Sequence, residues 1–189
     1  PEGACPTCTG LGAVHRANIG RLVNEAKSVP EGAVLGWDAR FAQYNLTILR
    51  AAAAHYGFPF DLSLPVREYT PAQRDLLLYG VESPLFRRHY PDIEPPATVR
   101  QGRFEGVATN LLRRYAEHIH EPEYRERLED LLLTETCPDC AGTRLRPEAR
   151  TVTVAGRTIV EAAALPLESL GQWLDTIAPT LAPAEQAIA

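Results

Sequence analysis

Apolar residues recur at helical spacing along much of the chain. Between 39 and 56, Phe41, Tyr44, Leu46, Ile48, Leu49 and Ala52 make a wide apolar face, with Asp38 placed to cap the helix and Gly57 to end it. Thr70, Pro71 and Gln73 carry a capping-box signature with proline at the first helical position, and Leu76-Leu77-Leu78-Tyr79 then runs into Gly80, which predicts a short helix. Val107, Leu111, Leu112 and Tyr115 predict a helix over 104–119. His118-Ile119-His120-Glu121-Pro122 breaks it, and Tyr124, Leu128, Leu131 and Leu132 stripe another over 122–133, so the two should pair as an antiparallel hairpin.

The pattern changes period near the C-terminal end. Thr151-Val152-Thr153-Val154 and Arg157-Thr158-Ile159-Val160 alternate β-branched residues on either side of Ala155-Gly156, the signature of a β-hairpin. Pro166 opens a helix to about 177 with Leu170, Trp173 and Leu174 on one face, and another helix is expected after Pro183. Residues 13–35 show little periodicity, with a turn at Pro30-Glu31-Gly32 and a short strand expected at Ala33-Val34-Leu35-Gly36-Trp37. Residues 83–102, rich in proline and arginine, read as a loop or β-hairpin. The fold class is therefore α+β and mainly helical.

Composition fits a soluble globular protein of one substantial domain or two small ones: 189 residues, 45% hydrophobic and 23% charged. Neither a membrane-length apolar run nor a secretory leader pattern is present, which points to a cytoplasmic, reducing compartment and no membrane partner. The absence of Met suggests a segment of a longer protein. The net charge of −5 argues against unaided, nonspecific binding of nucleic acid. That charge is uneven, since seven acids face two arginines over 117–135 whereas four arginines face Glu148 over 141–157. Eighteen of the 19 basic residues are arginine, which a GC-rich coding sequence explains more simply than eighteen phosphate contacts.

All four cysteines sit in two matching knuckles, Cys5-Pro6-Thr7-Cys8-Thr9-Gly10-Leu11-Gly12 and Cys137-Pro138-Asp139-Cys140-Ala141-Gly142-Thr143-Arg144. Each Cys-x-x-Cys presents two thiolates on one turn, and the glycine two residues later lets the backbone curl so that N–H groups face the sulfurs. One structural zinc held by Cys5, Cys8, Cys137 and Cys140 is the expectation. A redox dithiol does not explain two copies with trailing glycines. The knuckles lie about 130 residues apart, far beyond the roughly 12 to 20 of ordinary zinc ribbons, so the polypeptide between them reads as an inserted module. Closing such a loop costs about 4–5 kcal/mol, against roughly 10–16 kcal/mol from structural zinc in small peptides. Expected boundaries are a zinc-bearing base, 1–12 and 134–189, and an inserted helical domain, 13–133. Arg16, Arg144 and Arg146 are near enough in sequence to offset the charge of four thiolates on zinc, an explanation that stands level with contact to DNA.

Catalytic signals are missing. His15 is a weak fourth-ligand candidate, His118 and His120 suit a turn, and no histidine forms a set with a nucleophile. Neither G-x-x-x-x-G-K-[ST] nor a helix-opening G-x-G-x-x-G occurs, so this segment is not expected to be an enzyme.

With these residues in view, nearly all of the chain resembles the middle of the first half of proteins of the UvrA family, the damage-finding ATPases of bacterial nucleotide excision repair. The resemblance rests on Gly3-Ala4-Cys5-Pro6-Thr7-Cys8-Thr9-Gly10-Leu11-Gly12, on Leu77-Leu78-Tyr79-Gly80, on Phe104-Glu105-Gly106-Val107 with Asn110, Arg113, Arg114 and Tyr115, and on the run from Cys137 to Ala149 into the Val152 hairpin. It implies an insertion domain on part of an ABC-type signature domain, with ATP and Mg²⁺ bound elsewhere in a parent ATPase. It further implies damaged duplex DNA as partner, a UvrB-like protein held by other segments, and a homodimeric parent. The insertion domain would help to hold or test the duplex, with Arg87, Arg88, Arg100 and Arg103 as candidate phosphate contacts, each of which could instead pair with local acids. Arg113 and Arg114 more simply brace their helix. UvrA proteins usually carry another Cys-x-x-Cys before the first knuckle, so zinc could pair the two knuckles or use that upstream pair. Three other readings stand beside this one: a UvrA-like ATPase of the drug-resistance type, a zinc-stapled protein-interaction scaffold without DNA contact, and the cysteine-rich module of J-domain chaperones. The last has four close repeats, where this chain has two and places Arg144 at the final glycine of the second.

Overall fold

The computed structural model describes residues 2–177 and 179. The chain divides into two contact units, His15–Leu133 and the pair of flanking segments Pro1–Val14 and Thr134–Ala189. The chain enters and leaves the central unit within two strands, β1 (Ala13–Ala17) at the start and β2 (Leu132–Thr136) at its end, which are neighbours in a two-stranded sheet.

In the central unit a one-turn helix α1 (Ile19–Leu22) follows β1 and leads to α2 (Ala39–Tyr56), the longest helix. Asp38 accepts a hydrogen bond from the Phe41 N–H at 2.7 Å, and Gly57 closes the helix in the left-handed conformation. The buried face of α2 carries Leu46, Leu49, Ala52 and Ala53. Next comes α3 (Pro71–Tyr79), whose capping box is complete: Thr70 accepts from the Gln73 N–H and Gln73 accepts from the Thr70 N–H. Leu76, Leu77 and Leu78 are all buried, so this helix is enclosed on more than one side. A single turn α4 (Pro84–Arg87) buries Phe86, and a 3₁₀ turn at Val99–Gln101 lies against α2. α5 (Val107–Glu117) adds Val107, Ala108 and Leu111 to the same core and packs on α3 and α6 (Pro122–Glu129).

Several expectations change here. Residues 83–102 are a loop, as one of the two expectations had it, with no hairpin, but the loop carries α4 and the 3₁₀ turn: Ser83 caps through the Leu85 N–H and Pro84 occupies the first position of a helix too short to show a period. The strand expected at 33–37 reduces to one bridge, Val23 to Val34. The helix expected over 122–133 ends at Glu129, and β2 (Leu132–Thr136) takes its last residues. Main-chain pairing wins there: the Asn18 N–H donates to the Leu131 carbonyl at 2.8 Å, where the helical stripe had suggested continuation.

In the flanking unit a turn α7 (Pro147–Arg150) precedes β3 (Thr153–Val154) and β4 (Arg157–Thr158), an antiparallel hairpin turning at Ala155-Gly156. Thr158 then begins a second capping box with Glu161 and opens α8 (Ile159–Ala163), which the alternation of Ile159 and Val160 had concealed. α9 (Leu167–Ile177) follows. The helix expected after Pro183 lies outside the described residues. No helix among the described residues is long and apolar enough to cross a membrane.

Candidate metal centre and nucleic-acid interface

The two knuckles are built alike, residue for residue. Thr9, Gly10 and Gly12 have φ of 50°, 84° and 78°, while Ala141, Gly142 and Arg144 have 48°, 83° and 69°. The N–H of Cys5 donates to the Arg144 carbonyl and that of Cys137 to the Gly12 carbonyl, both at 2.9 Å, so each knuckle holds the other by an equivalent main-chain bond. Gly12 sits at a tight approach with φ of 78°: a Cβ there would stand 3.0 Å from the Arg144 Cγ and 3.1 Å from the Gly142 carbonyl oxygen, so a side chain would require its neighbours to give way. Thr7 and Asp139, at matching positions, hydrogen-bond across the pair.

This arrangement brings all four sulfurs together. Cys5 and Cys137 Sγ lie 3.9 Å apart, Cys8 and Cys140 Sγ 3.7 Å, and the four all lie within 4.8 Å of one another in a buried cluster. These separations exclude disulfides, whose sulfurs bond at about 2.05 Å. Four sulfurs at about 2.3 Å from a central ion make a tetrahedron with edges of about 3.8 Å. The cysteines can therefore hold a metal ion in a closed, four-thiolate site. Burial raises the Cys8 thiol, but the Gly12 N–H, the Cys140 thiol and the Gly10 N–H outweigh it and bring it down to about 7. The Gly12 N–H reaches Cys8 Sγ at 3.2 Å, the contact expected of the trailing glycines. At Cys137 the Cys140 N–H lowers the thiol, yet burial and the neighbouring Cys140 and Cys8 thiols carry it up to about 11. His15 is not in the cluster; its ring packs edge-on against Tyr115 at 4.9 Å. His118 meets Glu121 at 2.8 Å within the turn.

The four arginines of 83–103 are all exposed, and they divide into two kinds. Arg88 pairs with Asp75 at 3.0 Å and Arg103 with Glu82 at 3.0 Å, whereas Arg87 and Arg100 make no ion pair among the described residues. The pair of Arg103 with Glu82 is exposed on both sides and contributes roughly 0–1 kcal/mol, so a phosphate can compete for that guanidinium. Asp75 is largely buried and also holds His89 at 2.8 Å, which ties Arg88 more firmly. Arg113 is committed to Glu105 and Glu117, and Arg114 lies over the Tyr124 ring at 5.6 Å. Sequence reasoning missed Arg40, exposed at the start of α2, and the half-exposed Phe41 and Tyr44 beside it, because their apolar spacing reads as core.

Comparison with known proteins gives a consistent pattern. Residues 20–130 match the family model described as the UvrA DNA-binding domain. UvrABC system protein A of Pseudomonas putida is 38% identical over 95% of this chain and 19% of that protein, and its counterpart in Thermus thermophilus is 37% identical over the whole chain and 20% of that protein. The chain thus spans about a fifth of the length of these relatives. Among solved structures, UvrA2 from Deinococcus radiodurans matches all of this chain and 25% of its own, with 30% identity and a TM-score of 0.66.

Proposed function

The chain belongs to the UvrA family, and on that premise we propose that it is the zinc-stapled insertion segment of a nucleotide-excision-repair protein and helps to hold or test duplex DNA. The observation that carries this reading is the match of residues 20–130 to a DNA-binding domain. In this reading Cys5, Cys8, Cys137 and Cys140 bind zinc, a d¹⁰ ion with no geometric preference of its own that accepts four thiolates in the tetrahedron their sulfurs approach. The metal has a structural role, since four protein ligands leave no position for substrate. The base comprises 1–12 and 134–189 and belongs to a signature domain; 13–133 is the inserted domain. The segment itself is non-catalytic. ATP and Mg²⁺, a UvrB-like partner and the homodimer contact belong to other parts of a longer, cytoplasmic ATPase.

Arg87 and Arg100 are the first phosphate contacts in this account, because no acid has to release them; Arg103 joins on exchange of its exposed partner Glu82, and Arg88 on release from the largely buried Asp75. A net charge of −5 makes these local cations, and not the field of the whole chain, responsible for affinity. The test is fluorescence anisotropy of a labelled 30-base-pair duplex across a salt series. The wild-type chain should bind at low salt with affinity falling as salt rises, and Arg87→Ala/Arg100→Ala should weaken binding and reduce the log–log salt slope by about 2. Absence of duplex binding at low salt, or a double variant identical to wild type, would remove these arginines from the interface.

A further inference from the structure

The helical unit contains a groove of about 370 Å³, within the range of small-ligand sites. One wall is aromatic. Phe41 and Tyr44, three residues apart on α2, stack at 6.5 Å with their planes 23° apart, and Phe41 meets the edge of Trp37 at 5.7 Å. The rings are 50% and 56% exposed, whereas Leu46 and Leu49 on the other face of the same helix are buried. The core therefore uses one face of α2 and leaves this aromatic pair with open surface.

The charges around the groove are arranged to suit an anion beside a flat ring. Arg103 and Arg114 line it, and Arg40 stands exposed next to Phe41. The carboxylate in the lining, Glu105, is already engaged by Arg113 at 2.5 Å and by Asn110 at 2.7 Å. An apolar peptide would cover the rings and offer nothing to Arg114, which makes no ion pair among the described residues, or to Arg103, whose partner is the exposed Glu82. A nucleotide offers a π face to the rings and a phosphate to the cations, the combination by which proteins grip unpaired strands.

We propose that this groove takes an unstacked nucleobase, from a single strand or from an unpaired position in a duplex, stacked on Phe41 and Tyr44 with its flanking phosphates held by Arg103 and Arg114. The proposal rests on the DNA-binding reading above and adds what is recognised: local loss of base pairing. Fully paired DNA keeps its bases in the stack and reaches only the arginines.

The test compares three probes with the whole chain: a paired duplex, the same duplex carrying three unpaired thymines, and a thymine single strand. Wild type should prefer both unpaired probes over the duplex by roughly 10-fold. Phe41→Ala/Tyr44→Ala should lose that preference while holding duplex affinity within about 2-fold, and Phe41→Tyr/Tyr44→Phe should restore it. Preference for the bulged duplex alone assigns the source as an extruded base, and preference for the single strand alone assigns a strand end. A 2-aminopurine at the unpaired position reads the same event in the unaltered chain, as a fall in emission on stacking. Equal binding of all three probes with no change in 2-aminopurine emission overturns the proposal and leaves the DNA-binding reading in place. No binding to any probe at low salt overturns both. If sedimentation shows a dimer that the alanine pair abolishes while the preference for unpaired DNA persists, the groove joins two copies of this chain and the proposal is likewise overturned.

Discussion

Gly80 and Gly106 decide whether two segments of the helical core can meet. A Cβ on Gly80 would stand 2.2 Å from the carbonyl carbon and oxygen of Glu105, and one on Gly106 would stand 2.2 Å from the carbonyl carbon of Tyr79. With φ of 77° and 90° and extended ψ, both occupy a region that is almost closed to other residues. The pair lets the Val81 N–H reach the Phe104 carbonyl at 2.9 Å, joining the end of α3 to the start of α5. Gly106→Ala should therefore cost about 3 kcal/mol or more, combining left-handed strain with a main-chain collision. Gly32→Ala, at φ 84° with nothing within 4 Å of its Cβ, should cost only about 1 kcal/mol. Urea midpoints at constant slope measure both, and equal midpoints for the two variants would mean that the close approach contributes nothing. Both glycines stood in the motifs that carried the family resemblance, but a linear pattern does not show that residues 26 apart press backbone against backbone. The four cysteines were easier to find, because all of them fall in two matching Cys-Pro-x-Cys-x-Gly knuckles. The aromatic groove was harder, since Phe41 and Tyr44 share the helical period that also marks a core.

At the scale of elements, strong caps were legible and short pieces were not. Asp38 and Gly57 bound α2, and Thr70 with Gln73 opens α3, because each cap is a local hydrogen bond encoded within four residues. α4 carries a comparable Ser-Pro start but ends after one turn, so periodicity had no length in which to appear. The start of β2 was hidden because strand pairing with a distant segment overrode a helical stripe. α5 shows how an element is tied down beyond its core face. Arg113 reaches back to Glu105 at 2.5 Å and forward to Glu117 at 2.7 Å, linking the residues before the helix to its last turn. The Arg113 hydrogen bond outweighs burial and, with Asn110, holds the Glu105 carboxyl below the usual carboxylate range. A folded value below the unfolded one makes this contribution present above about pH 4.3 and lost as pH falls through the folded value. The melting-temperature difference between wild type and Arg113→Gln should therefore be largest near neutral pH and shrink below about pH 4. A difference that stays constant to pH 2 would assign the effect of Arg113 to packing of its aliphatic stem, not to the ion pair.

For the whole molecule, the question is what a metal held by the four cysteines would tie together. The cysteine cluster has its own small core of Cys5, Cys8, Cys137 and Cys140 with Val14, separate from the large apolar core built on α2, α3, α4 and α5. That separation predicts that the helical unit keeps its fold without metal, while the knuckles, which have four thiols and a few main-chain bonds, do not. Zinc bound there at roughly 10–16 kcal/mol would exceed the roughly 4–5 kcal/mol cost of closing the loop between the knuckles, and so would fix both ends of the proposed inserted segment at one point. One zinc per chain should accordingly be found by atomic spectroscopy, and both Cys5→Ser and Cys137→Ser should lose it. Hydrogen exchange after chelation should lose protection in 4–12 and 137–146 while α2 and α3 remain protected. Zinc retained in either variant would place the site within one knuckle together with ligands from elsewhere, and would sink the pairing across the insertion. Loss of protection throughout α2 and α3 would show instead that the metal, and not the apolar core, maintains the inserted unit.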